Sequence, residues 1–336
     1  MKSPGRLFMN RRQIILASTM AALSPAGFAA RKPGAGEPGD EVIDLWPEGA
    51  PGGEHVTVKE EVVERLPDGP MRDRFVQHVT RPSMTIFKPR AAFNGITLLI
   101  VPGGGYVRVV IDKEGVECAD WFTQRGFEAA VLRYRLPADR WVAGPDAPVQ
   151  DAMRALRVLR GRAVKSATAS ARFGVMGFSA GGHLCARVLT GGVMPYDPVD
   201  AADDLSARPD FGVLMYPVIA MTGPHAHAGS VNQLLAAGQG SGSGSPVNPE
   251  GFAPHLRVHG DTPPTMLVHA ADDTSVPVEN SLLMYEALRK AKVRSELHVF
   301  DGGGHGFGLR GVAGRDVAAW PALVQNWAIN NAKAAP

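Results

Sequence analysis

Cysteine is nearly absent: the 336 residues hold two, Cys118 and Cys185. That excludes a disulfide scaffold and a cysteine-built zinc centre. An excess of either charge is missing too. Lys and Arg total 35 and Asp and Glu 33, so the net charge of +2 leaves no electrostatic footprint for nucleic acid or another polyanion. A membrane-length apolar run is also lacking. The amino-terminal run, residues 14–23, is about half of the roughly 20 residues that a spanning helix needs, so no stable membrane anchor is expected. Glycine and proline, by contrast, are plentiful at 39 and 27, and they announce many tight turns between short elements. With 45% hydrophobic residues the composition is that of a globular chain, long enough to bury a large core.

Residues 1–29 read as an export signal. Lys2, Arg6, Arg11 and Arg12 make a basic start without an acidic residue, the apolar run follows, and Pro25 breaks it. Gly27 and Ala29 suit the small-residue positions before a cut at Ala30. The segment Asn10-Arg11-Arg12-Gln13-Ile14-Ile15-Leu16 resembles a twin-arginine export motif, with Asn10 where Ser or Thr is usual. The mature chain, 30–336, is therefore expected in the periplasm or outside the cell, and loss of the four signal cations leaves it again nearly neutral. An oxidising compartment would permit a Cys118–Cys185 bridge. Both cysteines, however, stand in helical patterns among apolar neighbours and read as buried free thiols.

Along the mature chain, residues 31–55 form a Pro- and Gly-rich lead-in. An antiparallel group is expected at 56–58, 76–79 and 83–87, with Pro67-Asp68-Gly69-Pro70 as a turn. From residue 96 the rhythm changes. The unalternating run Ile96-Thr97-Leu98-Leu99-Ile100-Val101 suits a strand buried on both faces. Further strands are expected at 128–132, 173–176, 211–216, 265–270 and 296–300, and helices at 113–125, 146–162, 180–189, 278–292 and 316–330. This alternation implies an α/β fold, a mostly parallel central sheet with helices on both faces. The excursion 222–264 interrupts it with the low-complexity run Gly238-Gln239-Gly240-Ser241-Gly242-Ser243-Gly244-Ser245, expected to be mobile over the sheet edge or to form a small cap.

The chemistry concentrates in four places. Gly177-Phe178-Ser179-Ala180-Gly181 has the G-x-S-x-G form between an apolar strand and a helix. Such a turn lifts the Ser179 hydroxyl to the carboxyl edge of the sheet and aims the Ala180 amide at a developing oxyanion. A serine nucleophile needs a base, and His305, in a glycine-rich loop after the last strand, is placed to supply it. His183 and His269 read as packing and core histidines. His225, His227, His255 and His259 read as solvated loop histidines rather than zinc ligands. Asp272 and Asp273 follow the strand at 265–270, and either would serve as the carboxylate that orients the base. Pro102-Gly103-Gly104-Gly105-Tyr106 stands where a second oxyanion donor belongs. It lacks the Lys-Ser/Thr of a phosphate loop and the third glycine of a dinucleotide fingerprint. Tyr106 and Phe178 are expected to flank the substrate with bulk. No cofactor or metal is called for.

Together these residues resemble the α/β-hydrolase esterases of the carbohydrate acetyl-esterase and acetylxylan-esterase type. The resemblance runs from Leu45-Trp46-Pro47-Glu48-Gly49-Ala50-Pro51-Gly52 through the glycine loop, Gly177-Phe178-Ser179-Ala180-Gly181-Gly182-His183-Leu184 and Asp272-Asp273-Thr274-Ser275-Val276-Pro277 to Trp320-Pro321-Ala322-Leu323. It implies that the acid stands three positions before the Val-Pro pair, which selects Asp273. It also implies that Gly103, Gly104 and Ala180 donate oxyanion amides, and that the two cysteine helices lie on opposite faces of the sheet. The activity it implies is hydrolysis of acyl esters, acetyl foremost, on plant-type saccharides. A general short-chain carboxylesterase, a serine peptidase of the same fold and a non-catalytic carbohydrate-binding relative are the competing readings.

Overall fold

The computed structural model describes residues 41–165, 172–191, 196–238 and 248–333. The export segment 1–29, and the glycine–serine run from 239 onward, lie outside the described residues.

Ten strands and six helices make up the described chain. In chain order they are β1 (Glu41–Asp44), β2 (Glu61–Glu64), β3 (Arg74–Gln77), β4 (Ser83–Phe87), β5 (Ile96–Val101), α1 (Glu117–Thr123), β6 (Glu128–Arg133), α2 (Ala147–Lys165), β7 (Arg172–Phe178), α3 (Ala180–Thr190), β8 (Phe211–Met215), α4 (Ala228–Gly238), β9 (Thr265–Ala270), α5 (Glu279–Lys290), β10 (Ser295–Phe300) and α6 (Trp320–Lys333). Eight strands form one sheet in the order β1-β4-β6-β5-β7-β8-β9-β10, while β2 and β3 form a separate ribbon. β5 to β10 run parallel to one another, and β4 runs against its neighbours β1 and β6.

The parallel sheet follows from strands that are apolar on both faces. In β5, Leu99 and Val101 face one core and Ile96, Leu98 and Ile100 the other. The first core is closed by Leu156 and Leu159 of α2, Leu184 and Leu189 of α3, and Met284 and Leu288 of α5. The second is closed by Phe122 of α1 and by Trp320, Val324 and Trp327 of α6. Cys118 belongs to the second core and Cys185 to the first, so the sheet separates the two free thiols. Among the described residues, no helix is long and apolar enough to cross a membrane.

Three local expectations need correction. Residues 56–58 make no strand, and the ribbon begins at β2. Just beyond them the Glu60 carboxylate accepts the Thr80 and Arg81 amides at 3.1 and 3.3 Å, in place of ladder pairing. The lead-in contributes β1, whose register with β4 (Val42 opposite Thr85, Ile43 opposite Met84) no local pattern announces. The excursion contains α4, which buries Leu234 and Ala237 and packs against the turns at Pro137–Asp139 and Gly144–Asp146. Its small residues (Ala, Gly, Ser) conceal the helical spacing of Val231, Leu234 and Ala237.

Candidate active site

The turn from β7 to α3 is built by close backbone approaches. A methyl group at Gly177 would stand 2.3 Å from Gly181 O, and one at Gly181 would stand 2.2 Å from Val101 O. Only glycine fits either position. Ser179 between them takes φ 53°, ψ −118°, a conformation a non-glycine residue holds only when its surroundings impose it. Those surroundings are the Ser179 N–H donating to Met215 O at 3.0 Å, and Ser179 O accepting from His183 N and Val218 N at 3.0 and 3.1 Å.

His305 reaches this serine from the loop after β10. Its Nε2 stands 2.9 Å from Ser179 Oγ, and its Nδ1 stands 2.7 Å from Asp273 Oδ2. With the Nδ1 proton directed to the carboxylate, the Nε2 lone pair is left facing the hydroxyl. Asp273 is 5% exposed, and its Oδ1 accepts the Ser275 and Val276 amides, each at 2.9 Å. His269 supports it from below. Its Nε2 is 2.9 Å from Val276 O, an acceptor only, so that nitrogen carries the proton, and it also stands 3.3 Å from Asp273 Oδ2. Burial alone would raise the Asp273 carboxyl, but the hydrogen bonds from His269 and His305 outweigh it and hold the group far below the usual carboxylate range. Asp272 has another task. Its Oδ1 accepts the Gly303 and Gly304 amides at 2.8 and 2.7 Å, which pins the loop that carries His305.

The glycine loop after β5 lies directly over the serine: a methyl group at Gly103 would stand 2.9 Å from Ser179 Cβ. The amides expected to receive an oxyanion need revision. Gly103 N–H donates at 2.8 Å to Glu114 Oε2, so it is already committed. Gly104, Gly105 and Ala180 N–H make no hydrogen bond among the described residues. Gly105 was not singled out by the sequence.

The two bulky flanking residues are also corrected. Tyr106 and Phe178 are wholly buried and offer no surface to a substrate. Phe178 points into the second core against Trp320, with ring centroids 6.3 Å apart. Tyr106 donates its hydroxyl at 2.7 Å to His183 Nδ1, whose Nε2–H is given to Phe252 O at 2.8 Å. His183 is thus a fully buried neutral imidazole, pushed down to about 3 by burial and by the nearby Arg187 charge.

That shift has a consequence for stability. The unfolded chain takes up a proton at His183 below about pH 6.5, whereas the folded chain resists until near pH 3. The contribution is therefore complete above about pH 6.5 and is lost progressively as pH falls, by about 2 kcal/mol at pH 5. Urea midpoints measured from pH 7 to pH 5 should fall in the wild type and fall less steeply in His183→Gln. Parallel slopes would remove His183 from the account.

The residue that sequence reasoning most clearly misplaced is His227. It stands part-buried in the loop just before α4 and faces the glycine loop: a side chain on Gly105 would come within 3.9 Å of His227 Cε1. Its Nδ1 accepts the Ser230 N–H at 3.2 Å, so the proton resides on Nε2. Burial and the charge of His305 both lower its pKa. The Ser230 three positions on, at the start of α4, was the only available signal. No three His, Cys, Asp or Glu side chains are grouped to hold a metal ion among the described residues.

A strained serine at a strand–helix turn, a histidine–aspartate pair from later sheet-edge loops and a glycine loop above are arranged on a sheet in which only β4 runs against its neighbours. This architecture places the chain in a class, and comparison with known proteins agrees. The family model described as the alpha/beta hydrolase fold matches residues 98–309, and the chain belongs to that family. A solved acetyl ester-xyloside bifunctional hydrolase from Caldicellulosiruptor lactoaceticus is 34% identical with a TM-score of 0.63, over 85% of this chain and 94% of that one. An acetylxylan esterase of Xylanibacter ruminicola is 33% identical over 231 residues, which is 68% of this chain and 44% of that protein. Endo-1,4-beta-xylanase B of Butyrivibrio fibrisolvens is 36% identical over 215 residues, 62% of this chain and 32% of that protein. The chain thus spans less than half the length of these two curated relatives.

Proposed function

We propose that this protein is an exported serine esterase that removes acetyl groups from xylan-type saccharides. The observation that carries the chemistry is the hydrogen-bonded line from Ser179 Oγ through His305 to Asp273, at 2.9 and 2.7 Å. The saccharide reading draws on the acetylxylan esterase and the acetyl ester-xyloside hydrolase to which the chain is similar.

In this proposal His305 Nε2 takes the Ser179 proton as Oγ attacks the ester carbonyl. The negative charge that develops on the carbonyl oxygen is received by the amides of Gly104, Gly105 and Ala180, the last at the amino terminus of α3. His305 then returns the proton to the departing sugar oxygen, leaving Ser179 acetylated. Water, deprotonated by the same imidazole, releases acetate and restores the serine. Asp273 holds the imidazole in its Nδ1–H tautomer and stabilises it when charged. Acyl transfer to water needs no cofactor.

The side chain nearest Gly105 is His227, a polar group rather than apolar bulk, which favours a short acyl group. An apolar acyl channel would gain about 0.8 kcal/mol per methylene, close to fourfold in specificity. The test uses protein recovered from the periplasmic fraction, where the proposal places the mature chain. On aryl esters, kcat/KM is expected to fall from acetyl to butyryl and to be very low at octanoyl, and acetyl-xylooligosaccharides should release acetate. A rise with chain length, without acetate release from the saccharide, would make the protein a general carboxylesterase.

A further inference from the structure

Glu114 takes no part in the mechanism above, yet it is a carboxylate only 5% exposed, directly behind the reacting groups. It lies in a π-helical turn, Asp112–Val116, that precedes α1. The turn is wide because Val116 N–H reaches back five residues to Ile111 O at 2.8 Å. Its start is anchored by Asp112, which accepts Arg74 N and Nε, each at 2.8 Å, and Arg74 Nη2 at 2.7 Å. Turns of this kind commonly re-aim a side chain at a functional site.

The two Glu114 oxygens are divided between two loops. Oε2 accepts Gly103 N–H at 2.8 Å, and Oε1 accepts the Tyr216 hydroxyl at 3.0 Å. Gly103 opens the oxyanion loop, in which Gly104, Gly105 and Tyr106 all take positive φ, at 131°, 66° and 62°. Three such residues in succession are not a conformation that a glycine loop keeps unaided. Tyr216, itself at φ 36°, belongs to the other half of the site. Its ring meets the His305 ring edge-on at 5.2 Å, and its hydroxyl accepts Gly308 N–H at 3.3 Å.

We propose that Glu114 is a positioning residue that holds the oxyanion loop and the general-base loop in register through Gly103 and Tyr216. The inference rests on the serine-esterase reading above. The carboxylate reaches both loops through two acceptor oxygens, whereas glutamine of the same shape offers only one. Ground-state binding of a small ester is not its business; the relative placement of oxyanion amides and imidazole in the transition state is.

Hydrolysis of 4-nitrophenyl acetate and the rate of Ser179 labelling by a fluorophosphonate are measured for wild type, Glu114→Gln, Tyr216→Phe, the double variant and Ser179→Ala. Glu114→Gln should lower kcat and kcat/KM together by about 10- to 100-fold, with the labelling rate falling in step and KM within about threefold of wild type. Tyr216→Phe should lose about tenfold. The double variant should be no worse than Glu114→Gln, because both changes cut one relay. Tyr216→Phe carries the test alone should Glu114→Gln fail to fold. Activity within twofold of wild type, a rise in KM alone, or losses that multiply in the double variant would overturn the inference. Ser179→Ala separates the two levels. If it is inert and unlabelled while Glu114→Gln behaves as wild type, only the role of Glu114 fails; if it remains active, the serine mechanism fails first.

Discussion

Replacing Ser179 by alanine is expected to lower kcat by about four to six orders of magnitude while leaving the fold intact. On the proposed mechanism the Ser179 hydroxyl forms the acyl-enzyme, and its loss would remove that covalent path. His305→Ala should fall as far, since no second base stands within hydrogen-bond distance of Ser179 Oγ among the described residues. Asp273→Asn should cost about four orders of magnitude, or about 5.5 kcal/mol of barrier, by favouring the wrong imidazole tautomer. Asp272→Asn should be much milder, about tenfold. Its carboxylate touches the Gly303 and Gly304 amides and not the imidazole. Steady-state kinetics on 4-nitrophenyl acetate, with circular dichroism to check folding, reads all four. A larger loss at Asp272 than at Asp273 would reassign the acid, and a near-normal rate in Ser179→Ala would end the serine mechanism.

Asp151→Ala is expected to destabilise the fold by about 3–5 kcal/mol. Arg135, just beyond β6, and Asp151, on α2, are both wholly buried. The carboxylate accepts Arg135 N at 2.8 Å, Arg135 Nε at 2.9 Å and Trp46 Nε1 at 2.7 Å, tying three segments together. The rest of the guanidinium is met by Pro51 O, Ala147 O and Gln150 Oε1. Truncation at 151 would leave a buried cation without its counter-ion and an indole N–H without an acceptor. Against a total stability of about 5–15 kcal/mol, that is enough to populate unfolded chains at ambient temperature. Urea denaturation measures it, and a cost under about 1 kcal/mol would show that the pair is inessential. An apolar double replacement, Arg135→Met with Asp151→Leu, should lie nearer to wild type than either single change, since it buries no unpaired charge.

The inner sheet strands were legible because burial on both faces writes itself as an apolar run. The expected bounds of β4, β5 and β9 coincide with those observed. Ser179 and the aspartate pair were legible because each stands just past such a run, where a parallel sheet delivers its loops to one edge, and His305 because it stands in a glycine-rich loop after the last strand. What stayed hidden depends on partners distant in sequence. The commitment of Gly103 to Glu114 requires a π-helical turn, and apolar spacing does not distinguish that from an ordinary first helical turn. Tyr106 and Phe178 adjoin the two site loops in sequence, but chain direction and strain turn both side chains inward. His227 came to the site just ahead of a helix whose small side chains gave no periodic signal.

The line of three side chains is closed by a histidine 126 positions beyond the serine, on a loop that follows the last strand of the sheet. A chain still emerging from the ribosome can have its nucleophile turn fully formed and yet possess no base. On the proposed mechanism, such a nascent chain would lack the base that activates its serine. On the same mechanism, competence would require β9 and β10 to be paired and the His305 loop to be in place, so the order of the elements along the chain would delay activity until the sheet is complete.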